Sequence, residues 1–270
     1  MVKCIRNPFF EIWSKVNGER KNFDNALKSL DVILYDVINE KKNKSTKNDL
    51  LSMLMDARDV DTHEGMNTQQ LRDELLTIYV AGHETSGYAI SWAMYCLCKH
   101  PEKYNKAKAE VQAIMQDGKL TIENYKQLTY IKAVIDETLR LYPTAYILSR
   151  ESKGSDVIND TEIPKGIVTL MSIYHLHRHP SYWQQSNDFI PERFESKQNA
   201  LLNSNAYFPF GAGPRMCIGF HFAIMEITIV LAQLLYHFDF KLVEEHKVEY
   251  EPLVTMKPKY GIKLKLINNN

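Results

Sequence analysis

The sequence predicts a mainly α-helical protein with a minor β region, and three observations support this fold class. Several stretches carry apolar residues at helical spacing, the longest over residues 67–98. Short apolar runs broken by Gly and Pro fill residues 144–174 and indicate a small sheet. Of the 270 residues, 44% are hydrophobic and 24% are charged, which is sufficient for a real core and ordinary for a soluble protein.

The helices follow one another from the start of the chain, each marked by its apolar periodicity and its end signals. In chain order they cover residues 22–42, 48–57, 67–98, 101–116, 130–142 and 218–237. The third, which Asn67 or Thr68 would cap, is apolar almost all round at residues 75–82. We therefore expect this helix to run through the core.

The second half of the chain has a different texture. Residues 144–174 read as the small sheet, and residues 180–207 show little periodicity. Such a long irregular segment inside a compact protein is usually kept for a function. Alternating apolar residues in YGIKLKLI, 260–267, predict a strand that closes the chain.

Charge and cysteine content narrow the class of protein. Lys plus Arg and Asp plus Glu both number 33, so the formal net charge is zero and no basic surface points to nucleic acid. Four cysteines without framework spacing indicate a reducing compartment. Cys96 and Cys98 point to different faces of one predicted helix, and we interpret both as buried packing residues.

Neither the N-terminus nor the interior predicts a membrane segment. The N-terminal stretch MVKCIRNPFFEIW contains no apolar run long enough for a signal peptide or a membrane anchor. The most membrane-like run, residues 222–238, contains Glu226 and Gln233 and is interpreted as a buried core helix. We expect a soluble, cytoplasmic protein, although an anchor upstream of this sequence is compatible with these observations.

The stretch FPFGAGPRMCIGF, residues 208–220, places one cysteine at the start of a predicted helix, behind flexible backbone. Gly211 and Gly213 let the backbone approach another group closely, and a helix start favours a thiolate at Cys217. A lone thiolate does not make a zinc site, whereas haem brings four nitrogens and takes one protein thiolate. Arg215 would suit a haem carboxylate. A glycine-rich loop with an incidental cysteine is the alternative.

The motif AGHETSG, 81–87, lies halfway along the longest predicted helix. Helical spacing puts small residues on one face, where a flat, bulky ligand or a closely packed helix could lie. These are Ala81, Gly82, Thr85, Ser86 and Ala89. Glu84 and Thr85 incur desolvation in an apolar stretch unless they have partners. A salt-bridged Glu84 and a Thr85 that packs by its methyl group form the alternative interpretation.

The cysteine stretch resembles the haem-ligand signature of the cytochrome P-450 family. The pattern F-x-x-G-x-R-x-C-x-G is met by Phe210, Gly213, Arg215, Cys217 and Gly219. The resemblance runs from about residue 10 to the end and implies a P-450-like fold truncated at its N-terminal side. It makes 1–270 a single partial catalytic domain. Its parts are the oxygen-activation helix 67–98, the ExxR helix 130–142, the haem-ligand loop 208–219 and the helix 218–237.

The resemblance also implies a cofactor and its ligands. The cofactor is haem b, with Cys217 as the axial ligand of the iron. The other implied cofactor-binding residues are Phe210, Gly211, Gly213, Arg215, Arg150 and Ala81. The motif A-G-x-E-T-S is similar to the family's oxygen-activation motif, which implies that Thr85 hydrogen-bonds oxygen or its water and that Glu84 relays protons.

Two further motifs, ETLR and PERF, resemble the family's structural ion network. The resemblance implies that Glu137, Arg140 and Arg193 form a buried network that retains fold and cofactor, whereas an exposed pair at this spacing is the bland alternative. The sequence HLHRHP, 175–180, would align three histidines if it were a strand, a possible metal site. The resemblance instead makes it a short turn.

The implied reaction is insertion of one oxygen atom of O2 into an apolar organic substrate. Electrons would come from a separate flavoprotein reductase or ferredoxin, since no nucleotide-binding fingerprint is present. Positions that match the family's pocket, and indicate a lipophilic substrate, are Tyr79, Thr144, Tyr146 and Val254. A peroxygenase or isomerase and a non-catalytic haem-binding remnant are the alternatives. The chain lacks the family's W-x-x-x-R motif, and we expect a fragment whose partner is the missing N-terminal half, rather than a natural short product.

Overall fold

The computed structural model describes residues 18–43, 49–195 and 206–267. The chain forms two compact units, one that ends at His83 and one that begins at Glu84. The described helices, α1 to α8 in chain order, are Glu19–Asn43, Leu50–Asp56, Thr68–Lys99, Pro101–Ile114, Ile122–Tyr125, Thr129–Leu141, Ile173–Leu176 and Phe220–His237. The mainly α-helical class predicted from the sequence is confirmed.

Short antiparallel pairs of strands make up the minor β region. The described strands, β1 to β8, are Ile147–Glu151, Asp156–Ile158, Thr161–Ile163, Val168–Ser172, Asp239–Leu242, Tyr250–Pro252, Met256–Pro258 and Leu264–Ile267. They pair as β1 with β4, β2 with β3, β5 with β8 and β6 with β7. In the first of these pairs Arg150 stands opposite Thr169. The predicted strand in YGIKLKLI is β8.

The first unit has a small core formed by α1, α2 and the first turns of α3. Ile38, Leu51 and Leu71 are its buried residues. Asn67 caps α3, because its side-chain oxygen accepts the Gln70 N–H at 2.9 Å and the Gln70 side chain accepts the Asn67 N–H at 2.8 Å. This reciprocal pair satisfies two amide groups that a helix start leaves without partners.

The second unit holds the larger core, in which α6 and α8 pack with α4 and the last turns of α3. Ten of the 13 residues of α6 are buried, so this helix lies at the centre of the unit. Along α8, Ile227, Leu231 and Leu235 recur every four residues and face the core. By length and composition α8 could also cross a membrane, and 28% of it is buried.

The middle of α3 departs from the prediction. We expected residues 75–82 to run through the core, but Tyr79 is 54% exposed and Val80 is 59% exposed. The prediction is wrong for these residues because the described core neighbours lie near the two ends of the helix, around Leu71 in the first unit and from Ser86 onward in the second. Trp92, Ala93 and Leu97 are the residues of α3 buried most completely.

The segment 175–180 is the end of α7 and the turn after it. Its three histidines consequently do not share one face: His177 is buried, and His175 and His179 are exposed. Of the predicted packing cysteines, Cys96 is buried and Cys98 is half-buried. Residues 196–205, part of the predicted irregular segment, lie outside the described residues.

Candidate functional site

Residues 208–219, called the cysteine loop from here on, precede α8 and are bent at two glycines. Gly211 has φ +74° and Gly213 has φ +70°, a backbone conformation that residues with a side chain rarely adopt. Phe210 closes the loop, because its carbonyl oxygen accepts the Cys217 N–H at 3.0 Å, and its ring packs edge-on against Phe220 with centroids 4.8 Å apart. The loop therefore holds the backbone of Cys217 in place.

The thiol of Cys217 lies on an exposed, apolar surface. Cys217 itself is exposed, and its large apolar neighbours Met216, Ile218 and Phe222 are 53%, 100% and 65% exposed. The helix begins at Phe220 with Gly219 before it. A Cβ added at Gly219 would lie 3.9 Å from the Cys217 sulfur, so the thiol stands beside the helix start.

Strand β1 approaches the same loop. A Cβ added at Gly211 would lie 3.7 Å from Cδ1 of Leu148. Arg150 is two residues further along β1 and shares the face of Leu148, since side chains alternate along a strand. Its guanidinium donates to the carbonyl oxygen of Ser149 at 2.8 Å and is exposed. Arg215 on the loop is also exposed, and no described carboxylate lies within 4.0 Å of it.

The three residues of ETLR and PERF lie in one network. Glu137 and Arg140, both fully buried, form a bidentate pair with N–O distances of 2.6 and 2.8 Å. Nε of Arg193 lies 3.3 Å from the Glu137 carboxylate, which also accepts the backbone N–H of Ile190 at 2.8 Å. Because the partners satisfy one another geometrically, the two buried charges are tolerated in the core.

Arg140 also reaches the irregular segment that follows α7. Its guanidinium donates to the carbonyl oxygens of His177 at 2.8 Å, Ser186 at 2.7 Å and Asp188 at 3.0 Å. The same group lies over the ring of Trp183, 5.0 Å from its centroid. One arginine on α6 thus fixes the path of about a dozen residues that carry no regular structure.

The motif AGHETSG, residues 81–87, lies in the exposed part of α3. Glu84 is exposed, Thr85 is half-buried and Ser86 is buried. Ala81 and Tyr79 belong to the first unit, and both are exposed. The ring of Tyr79 stacks on that of His83 with centroids 5.6 Å apart.

Three of the predicted pocket residues meet around the turn between β6 and β7. The Thr144 carbonyl accepts the Met256 N–H at 3.0 Å, and the Tyr146 hydroxyl donates to the Leu253 carbonyl at 2.8 Å. Val254, between these two contacts, is 59% exposed. The Trp92 indole N–H donates to the Met256 carbonyl at 3.3 Å, which attaches the turn to α3.

Sequence reasoning missed a second attachment of the cysteine loop to the core. Nε2 of His177 accepts the backbone N–H of Phe208 at 2.9 Å. The Tyr207 hydroxyl donates to the Asp136 carboxylate at 2.9 Å and contacts its carbonyl oxygen at 3.0 Å. Burial raises the pKa of the Asp136 carboxyl to about 6. The only sequence signal was the histidine pattern, for which a metal site was one interpretation and a short turn the other.

The loop fits a haem in its chemistry. An exposed thiol borders large apolar side chains, which suits a flat apolar ring, and Gly213 has nothing within 4 Å of its missing Cβ. The exposed cations Arg215 and Arg150 suit the carboxylates at the edge of such a ring.

Comparison with known proteins identifies the family. The family model described as Cytochrome P450 matches residues 3–266. Cytochrome P450 97B2, chloroplastic, of Glycine max is 38% identical over 223 residues, which cover 72% of this chain and 38% of that protein. The bifunctional cytochrome P450/NADPH--P450 reductase 2 of Bacillus subtilis is 36% identical over 240 residues, 87% and 23% of the two chains. Cytokinin hydroxylase of Arabidopsis thaliana is 34% identical over 262 residues, 94% and 50% of the two chains.

Fold and sequence together define a mainly α-helical protein with a minor β region and a glycine-bent cysteine loop before its last helix. The chain belongs to the cytochrome P450 family. It spans half or less of the length of the curated relatives described above.

Proposed function

We propose that this chain is the C-terminal part of the catalytic domain of a haem-thiolate monooxygenase that holds haem b. The reaction inserts one oxygen atom of O2 into an apolar organic substrate, and the other atom leaves as water. One observation carries the proposal: an exposed Cys217 on a glycine-bent loop whose backbone is tied to Phe210 at 3.0 Å. The similarity to a protein named as a hydroxylase, Cytokinin hydroxylase of Arabidopsis thaliana, supports the same reaction type.

The residues of the chain divide the work of holding the cofactor. The Cys217 thiolate would bind the haem iron, and Arg215 and Arg150 would pair with the haem carboxylates. Phe210, Gly211 and Gly213 give the loop the shape that brings the sulfur forward, and Ala81 on α3 is a further proposed cofactor-binding residue. When bound, haem supplies the iron chemistry that cleaves the O–O bond.

Proton delivery falls to α3. The half-buried Thr85 hydroxyl can donate and accept a hydrogen bond at the same time, so it can hold a proton near the reacting oxygen. The exposed Glu84 carboxylate exchanges protons with solvent and can reload that hydroxyl. Glu137, Arg140 and Arg193 lie away from the chemistry and retain the fold that carries the loop.

The proposed partners are an external electron donor and a lipophilic substrate. A relative that is fused to an NADPH--P450 reductase supports a flavoprotein donor, and a ferredoxin is the second option. Tyr79, Thr144, Tyr146 and Val254 are the proposed substrate contacts. The N-terminal half of the domain is the remaining partner, because the chain spans half or less of its relatives.

The spectrum of the reduced carbonyl complex tests whether Cys217 is the ligand of the haem iron. The 270-residue chain is loaded with hemin, alone and together with the N-terminal half of a relative, then reduced and exposed to carbon monoxide. We expect the red-shifted Soret band of thiolate ligation, and we expect Cys217→Ala to lose it. Cys98→Ala is the matched control and retains the band. A histidine-type spectrum in the unaltered protein would overturn the assignment.

Turnover tests the role of Thr85. In Thr85→Ala we expect reducing equivalents to be consumed with less product formed, because a positioned proton donor contributes about 10²–10⁴-fold to such steps. Thr77→Ala, on the same helix, is the control and leaves the ratio of product to consumed electrons unchanged. Intact coupling in Thr85→Ala would remove this residue from the proton path.

A further inference from the structure

The imidazole of His177 lies between the buried network of Glu137 and Arg140 and the cysteine loop. His177 has no exposed surface. Its backbone carbonyl accepts a hydrogen bond from Nη1 of Arg140 at 2.8 Å. Its backbone N–H donates a hydrogen bond to the Ile173 carbonyl at 2.9 Å. The position of His177 is therefore fixed by α6 on one side and by α7 on the other.

The side chain of His177 continues this connection toward the loop. Nε2 accepts the N–H of Phe208 at 2.9 Å. The carbonyl of Phe208 accepts the N–H of Gly211 at 3.1 Å, and the carbonyl of Phe210 accepts the N–H of Cys217 at 3.0 Å. A series of hydrogen bonds and short backbone steps thus leads from the Arg140 guanidinium to the amide of the cysteine.

The hydrogen bond dictates the protonation state of the ring. A nitrogen that accepts an N–H carries no proton, so the neutral ring carries its proton on Nδ1. Burial, assisted by the nearby Arg140 charge, lowers the pKa of His177 to about 3. The imidazole is neutral at pH 7 and its Nε2 remains an acceptor.

Two kinds of role are compatible with a buried aromatic residue. The ring of His177 stacks on Tyr207 with centroids 5.2 Å apart and lies edge-on to Trp183 at 6.5 Å, so it could serve as packing alone. Yet Nδ1 makes no hydrogen bond of good geometry among the described residues, although the backbone of Arg140 and Leu139 lies near the ring, and a poorly paired buried donor costs stability. A phenyl ring would pack without that cost, which favours a role for Nε2.

We propose that His177 is a positioning residue for the cysteine loop, and that its Nε2 fixes the amide of Phe208 at the start of that loop. The inference rests on the proposed function in one respect, namely that the loop presents Cys217 to haem iron. His177 acts on the sulfur through Phe208 and the loop backbone, and touches neither substrate nor cofactor.

Two substitutions separate the acceptor from the ring. His177→Gln keeps an acceptor at the reach of Nε2 but removes the aromatic ring, whereas His177→Phe keeps the ring and removes the acceptor. The first readout is amide hydrogen exchange of the full chain without hemin, at Phe208 and Cys217. The second is the fraction of thiolate-type band in the reduced carbonyl spectrum after hemin is added.

We expect His177→Phe to exchange the Phe208 amide about tenfold faster, the equivalent of one lost buried hydrogen bond. His177→Gln should keep that protection and more of the thiolate-type band than His177→Phe. The amide of Leu231 in the core reports global unfolding. If His177→Phe unfolds globally, His177→Gln alone decides: retained Phe208 protection supports the proposal and lost protection overturns it.

The opposite ranking, in which His177→Phe retains protection at Phe208 and His177→Gln loses it, would assign His177 to packing. The exchange measurement contains no haem, so its outcome is independent of the axial ligand. A missing thiolate-type band in the unaltered chain would count against the proposed function and leave the exchange result in force.

Discussion

Glu137 shows at the scale of one residue how a buried ion pair constrains substitution. Its carboxylate pairs with the guanidinium groups of Arg140 and Arg193 and accepts a hydrogen bond from the Ile190 amide. The Glu137 side chain has no exposed surface. In Glu137→Gln the Arg140 guanidinium stays buried without its counter-charge. We expect a loss of about 3–5 kcal/mol in the free energy of unfolding, measured by urea denaturation.

The exposed pair of Arg20 and Asp24 provides the matched control. These residues lie four apart on α1 with 3.2 Å between the charged atoms, and both side chains are about half exposed. Asp24→Asn should change the free energy of unfolding by less than about 0.5 kcal/mol. Equal effects of the two substitutions would show that the Glu137 network contributes no more than a surface pair.

His177 and Asp136 predict opposite responses to acid. Burial lowers the pKa of His177 from 6.5 to about 3. Between these two pH values the unfolded chain is protonated at His177 and the folded chain is not. The stability from neutral His177 is complete above about pH 6.5 and is lost as the pH falls. Burial raises the pKa of Asp136 from 3.8 to about 6, so stability falls as the pH rises through that window.

The two effects partly cancel between about pH 4 and 6, and Asp136→Asn exposes the contribution of His177. The amide oxygen can still accept the Tyr207 hydroxyl, and the titration of Asp136 disappears. We expect the variant to lose stability on acidification more steeply than the unaltered chain, by up to about 1.4 kcal/mol per pH unit. Urea unfolding at several pH values measures the slopes, and parallel slopes would contradict the prediction.

At the scale of an element, the cysteine loop depends on a backbone conformation. Gly213 has φ +70° with no atom within 4 Å of the position that a Cβ would occupy, so a methyl group there meets backbone strain and no clash. We expect Gly213→Ala to cost roughly 1–2 kcal/mol of unfolding free energy. Gly219→Ala is the control, since φ −85° suits any residue; an equal cost at both positions would refute the backbone explanation.

Elements with strong end signals were predictable, and long-range partners were not. Asn67 marks the start of α3 within one residue, because a capping side chain and Gln70 stand at fixed spacing. The motifs around Glu137 and Arg193 named the acidic and basic groups. The carbonyls that receive Arg140 left no signal, since backbone atoms are the same in every residue. The turn predicted around His177 is present, but no sequence pattern indicated that its Nε2 accepts the Phe208 N–H.

At the scale of the whole molecule, the described structure leaves an apolar stretch in the middle of α3 exposed. The sequence pattern required burial for residues 75–82, and the described structure leaves Tyr79 and Val80 exposed. A sequence pattern indicates which residues of a helix favour burial, whereas the exposed fraction of each side chain depends on the neighbours that surround it in the described structure.

The two units should therefore differ in stability, and hydrogen exchange of the full chain can measure it. In α6 ten of 13 residues are buried, whereas Ile38 is the buried residue of the 25 in α1. Because protection follows local burial, we expect α6 amides to exchange at least about a hundredfold more slowly than those of α1. Ile38→Ala should accelerate exchange in α1, since it removes the centre of a three-residue core. Equal protection of α1 and α6 in the unaltered chain would mean that burial in the second unit does not set its stability.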